Sequence, residues 1–134
     1  MPIVDINMNE VVEKPKLPAG QPLTFAITQA FQEIAKNPNK NTGIREPLIR
    51  ATLRVLDNGW EDRSFDCRWS MMPGALSSDD PTYSIKKFFT VVGFQWNPDG
   101  SFSTEDLQTL KFVGTIKYKE GSSYPNLATI IRAA

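Results

Sequence analysis

The chain has 134 residues, with fifteen basic and fifteen acidic side chains, no histidine and one cysteine. That length is about one domain, able to bury roughly two thirds of its unfolded surface, and a formal charge of zero excludes bulk attraction to an anionic partner, so any steering must come from local charge. Without histidine, His-based triads, thiol–His pairs and histidine metal sites are excluded; the lone Cys67 cannot form an intramolecular disulfide, which fits a reducing compartment.

Residues 1–22 mix Asp5, Glu10 and Glu13 with four prolines and show little periodicity, so they read as an N-terminal arm ahead of a domain spanning 23–134. From Leu23, "LTFAITQAFQEI" alternates Leu23, Phe25, Ile27, Gln29 and Phe31 against Thr24, Ala26, Thr28 and Ala30. One long strand is the favoured reading, although "AFQEI" could instead begin a helix. The next stretch, "AKNPNKNTGIRE", is rich in turn formers and carries Lys36, Lys40 and Arg45, an exposed cationic loop. In "LIRATLRVLDNGWEDRSFDCRWSM", Ile49, Ala51, Leu53 and Val55 alternate with Arg50, Thr52 and Arg54. After the turn at Asp57-Asn58-Gly59 the alternation resumes as Phe65, Cys67 and Trp69 against Asp66, Arg68 and Ser70. The segment therefore predicts a hairpin with one apolar face and with Arg50, Arg54 and Arg68 on the other.

Residues 73–81 read as irregular, with a helix expected to start near the polar run Ser77-Ser78-Asp79-Asp80. Tyr83, Ile85, Phe88, Phe89 and Val92 share helical spacing, and Gly93 is a suitable terminator. "NPDGSF" is a turn and "STEDLQTL" gives at most a short second helix. "KFVGTIKYK" and "YPNLATIIRA" read as two strands around "EGSS". No apolar run approaches the roughly 18 residues of a membrane span, and the first residues lack the basic flank and apolar segment of a secretory signal. The expectation is a protein of the cytoplasm without membrane contact.

Five strands with a helix between the third and fourth predict a mainly β fold, a five-stranded OB-fold barrel. Its cleft would be lined by the loop after strand one and by the loop before strand five, where Lys117, Lys119 and Tyr124 lie. Outward arginines on a strand are commonly solvated or paired, here with Glu46, Asp66 or Glu61, and such pairs contribute little. Trp69 and Tyr118 follow the inward register, Trp96 fits the end of the barrel, and Trp60 and Tyr124 are the aromatics expected to be exposed. Cations along a groove with exposed aromatics suit a single nucleic-acid strand, whose phosphates need the former and whose bases stack on the latter for about 1 to 3 kcal/mol each. The candidate binding set is Lys36, Lys40, Arg45, Arg50, Arg54, Trp60, Arg68, Lys117, Lys119 and Tyr124. No glycine-rich phosphate loop is present, and the adjacent acids Asp79-Asp80 and Glu105-Asp106 sit where helix caps belong. No catalytic residue, metal site or cofactor is expected.

This arrangement resembles a family of small phage-encoded OB-fold single-stranded-DNA-binding proteins. The resemblance spans roughly residues 17–127 and rests on "LPAG", "LRVLDNGWEDRSF", "IKKFFTVVGF" with its closing Gly93, and "FVGTIKYKEGSSYPNL" entered through Gly114. It departs from the pattern at Thr115 and at Gln21-Pro22. The resemblance implies a non-catalytic protein of an infected cell's cytoplasm that shields single strands for replication or recombination. It also implies replication or recombination proteins as partners, which the acidic arm around Glu10 and Glu13 could recruit in place of an acidic tail. The apolar Ile130 and Ile131 fit a last strand or a self-association edge. The competing expectation is a structural or assembly protein, of a virion or other complex, that docks on protein.

Overall fold

A computed structural model describes residues 15–134. The fold is mainly β, built from β1 (Leu23–Ile34), β2 (Pro47–Val55), β3 (Ser64–Ser70), α1 (Pro73–Leu76), α2 (Ile85–Val92), α3 (Thr104–Leu107), β4 (Lys111–Lys117) and β5 (Asn126–Ala133). The strands form one sheet in the order β3-β2-β1-β4-β5, with every neighbouring pair antiparallel. β3 and β5 are its two ends and share no backbone ladder. Among the described residues no helix is long and apolar enough to cross a membrane.

The hairpin alternation in the sequence becomes the inner face of β2 and β3. Ile49, Ala51, Leu53 and Val55 are fully buried, and Phe65 and Trp69 join them. Phe25 meets Phe65 edge-on at 5.6 Å and Phe112 at 5.4 Å, and Phe88 of α2 meets Phe112 at 5.1 Å and stacks on Trp69 at 4.8 Å. Each such pair adds about 0.5 to 1.5 kcal/mol beyond the area it buries. The Trp69 indole N–H would be costly to bury unbonded, and it donates to the Pro81 carbonyl at 3.0 Å.

Strict alternation in the first strand fails at one place. The pairing of β1 with β2 shifts between Ile27 and Gln29, and a one-residue shift moves every later side chain to the opposite face. Leu23, Phe25 and Ile27 point into the core as expected, but beyond the shift Ala30 is the buried residue and Gln29 is exposed. The expected inward position of Phe31 is therefore corrected: Phe31, and with it Glu33, stands on the outer face opposite Arg50 and Leu48.

Three short helices lie between β3 and β4, where one helix and at most a short second were expected. Pro73–Leu76, expected to be irregular, is helical. The main helix starts later than the polar run suggested. Asp80 accepts from the Thr82 amide at 2.9 Å and hydroxyl at 2.7 Å, closing a local turn. The cap is instead Ser84, fully buried, which accepts from the Lys87 amide at 3.1 Å and donates to the Leu76 carbonyl at 3.1 Å. Tyr83 is left outside the helix and exposed. Gly93 ends α2 at φ 74°, a left-handed backbone that suits glycine. At Gly114, between Leu23 and Ile130, an added Cβ would come within 2.5 Å of the Thr129 carbonyl oxygen.

The expected arm reaches the described residues at Pro15. Leu17 is buried in the core, its carbonyl accepts from the Tyr118 hydroxyl at 2.8 Å, and the Gly20 amide donates to Ile116 at 3.2 Å. Glu10 and Glu13 lie outside the described residues.

Candidate nucleic-acid interface

The outer face of β1, β2 and β3 carries a row set by backbone register: Phe31 opposite Arg50, and Arg50 opposite Arg68. The Arg50 guanidinium carbon lies 4.2 Å from the centre of the Phe31 ring, a cation–π stack. Two residues along β1 on the same face, Glu33 reaches both arginines. Its Oε1 accepts from Arg68 Nε at 2.9 Å and its Oε2 lies 3.4 Å from Arg50 Nη1. Arg50 Nε is buried without a hydrogen bond. Asp66 Oδ2 stands 4.0 Å from it, too far for a hydrogen bond, and the other Asp66 oxygen accepts from the Thr52 hydroxyl at 2.8 Å. These side chains remain a quarter to a half exposed, so each ion pair contributes about 0 to 1 kcal/mol.

Beside this row the β1–β2 loop closes a groove of about 380 Å³ lined by Glu33, Ile34, Lys36, Leu48, Arg50 and Arg68 among others. The loop is ordered by its own bonds. The Asn39 side chain accepts from the Asn41 amide at 2.8 Å and donates to Glu46 at 3.1 Å. Arg45 Nε donates to the Ala35 carbonyl at 2.9 Å, which leaves Lys36 as the loop's cation in the groove. Lys40 is exposed on the loop outside the groove lining.

The remaining candidate residues lie elsewhere. Arg54 Nε donates to the Glu61 carbonyl at 2.9 Å, at the opposite end of β2 from the groove, about 13 Å from Arg50 at a strand's rise per residue. Trp60, expected to be exposed, is half-buried against the core with Arg63 5.6 Å from its ring. Lys117 lies close enough to Asp80 to help lower its carboxyl below the usual range, although the Thr82 hydroxyl and amide do most of that. Lys119 is exposed in the β4–β5 loop. Tyr124, half exposed, crosses from that loop to β3, where its hydroxyl accepts from the Asp66 amide at 2.8 Å. Tyr118, expected in the core, is half-buried, and burial raises its phenol.

Of the ten residues, the structure brings Lys36, Arg50 and Arg68 into one groove, and Arg45 bonds the carbonyl of Ala35, another of its lining residues. Sequence reading missed Phe31 and Glu33, both carried outward by the shift in β1. Gln29, a polar side chain at a supposedly inward position, was the available signal.

A second concavity lies beside the first half of α2, where Met71, Leu76, Ile85, Phe89, Trp96 and Phe102 among others line about 240 Å³. Trp96 there is 38% exposed. Cys67 of β3 is half-buried beside a cleft that Asn126 and Leu127 of β5 also line, and burial, with the neighbouring Asp66 charge, raises its thiol. Among the described residues no group of three or more carboxylates and thiols gathers that could hold a metal. No family model matches the chain, and neither curated proteins nor solved structures give a match.

Proposed function

We propose that the protein is a non-catalytic, sequence-independent single-stranded-DNA-binding protein with a partly open OB-fold barrel, serving phage DNA replication or recombination in the host cytoplasm. The observation that carries this reading is the Phe31–Arg50–Arg68 row beside a groove that Lys36 also lines. A strand laid along it finds cations for its phosphates and an aromatic–guanidinium stack for a base, the two residue types that sequence-independent binding needs. The strand order supports the barrel, since β3 and β5 are the ends left to approach each other and Tyr124 spans between the β4–β5 loop and β3. The phage context rests on the resemblance described above.

Fluorescence titration with an oligothymidine at two salt concentrations tests the reading. Binding at low salt that weakens steeply at higher salt is expected; no binding at low salt removes it. The alternative, a structural or assembly protein docking on protein, draws on the apolar concavity beside Trp96 and on the arginines already paired with Glu33. Partners that survive nuclease and high salt, together with no oligonucleotide binding, would select it.

A further inference from the structure

The row of arginines is already occupied by an anion of the protein's own. Glu33 presents one oxygen to Arg68 at 2.9 Å and the other to Arg50 at 3.4 Å. A carboxylate bridging two guanidiniums through its two oxygens does what the two free oxygens of a backbone phosphodiester would do there, with the same single charge. We infer that Glu33 is a built-in stand-in for one phosphate, which an incoming strand must displace, so that it sets the affinity of the groove. This rests on the single-strand reading and deepens it.

Three features make displacement feasible. Among the described residues Glu33 has no polar partner besides those two arginines, whereas Asp66 on the same face is held by Thr52. The pairs are solvent-accessible and individually weak. Arg50 Nε, like Arg63 Nε at the turn end, makes no hydrogen bond, so Glu33 does not saturate the donors of Arg50. Long range matters as well: Glu33 and Arg68 are 35 residues apart in sequence, so the bridge exists only once the sheet has formed.

The test compares oligothymidine binding, by fluorescence at low salt, for the wild type, Glu33→Gln and Glu33→Asp, with thermal midpoints measured alongside. Glu33→Gln removes the competing charge. Glu33→Asp keeps the charge but, one methylene shorter, cannot span both arginines. Both variants are expected to bind about fivefold more tightly than the wild type, with midpoints little changed because Glu33 is partly exposed. If the wild type binds and neither variant binds more tightly, the inference fails while the single-strand reading stands. Tightening by Glu33→Gln alone would also overturn it, since charge near the groove, not occupation of the bridge, would then explain the gain. If neither the wild type nor the variants bind, the single-strand reading fails and the inference with it.

Discussion

The two ends of the β2–β3 hairpin hold the same residue type in two different ways. At the turn end, Arg54 donates to the Glu61 carbonyl and Arg63 Nη2 donates to the Pro15 carbonyl at 2.7 Å, with the Trp60 ring beside it. Those carbonyls are backbone and cannot rotate away, and Arg63 Nε lies in addition 3.6 Å from the Asp62 carboxylate. At the loop end, Arg50 and Arg68 share Glu33, an acceptor on a rotatable side chain. On the proposed reading, what a guanidinium is bonded to, more than where it sits in the strand, decides whether a ligand can take it. On the same reading, Arg54 and Arg63, bonded to carbonyls, fasten the chain, while Arg50 and Arg68 exchange the Glu33 carboxylate for a phosphate.

Substitutions at the two ends should therefore part company. Replacing Arg50 and Arg68 together by alanine is expected to lower oligothymidine affinity by on the order of thirtyfold at low salt, two phosphate contacts being lost. Stability should change by less than about 1 kcal/mol, since both side chains are partly exposed; paired titration and urea melts separate the two effects. Phe31→Ala should weaken binding about tenfold, within the ~1 to 3 kcal/mol of one base–aromatic stack, and quenching titrations measure it. At the other end the effects invert. Arg63→Ala is expected to lower unfolding free energy by about 1.5 to 3 kcal/mol, the range for a hydrogen bond to a charged group, with oligothymidine affinity unchanged. Arg54→Ala, at a more exposed site, should cost about 0.5 to 1 kcal/mol in a urea melt and also leave affinity alone. Loss of binding in either turn-end variant would erase the distinction between the ends.

Much of this division could be read from the residues, and the part that could not has identifiable causes. The inner faces of β2 and β3 follow period two because each buried side chain has a neighbour at the same depth, and Ile49, Leu53, Phe65 and Trp69 fall where alternation puts them. The five strands and the end of α2 at Gly93 were equally legible. The outer half of β1 was not: a single-residue shift after Ile27 marks the sequence only by the polar Gln29 at an inward position, and it reverses Phe31 and Glu33. The start of α2 was obscured by a choice of capping residues, settled by Ser84 because its hydroxyl also satisfies the Leu76 carbonyl inside the fold. Partners of the arginines were the hardest to foresee. Of the partners expected, Asp66 does lie 4.0 Å from Arg50, but Glu46 bonds Asn39 and Ser70, and the closer partner, Glu33, lies on β1.

Backbone amide chemical shifts recorded during addition of an oligothymidine test the central claim most directly. Shifts concentrated at Phe31, Glu33, Lys36, Arg50 and Arg68, with Gly59, Trp60 and Arg63 unmoved, are the expected outcome. Shifts confined to the turn end or to the concavity around Trp96, or no shifts at low salt, would contradict it.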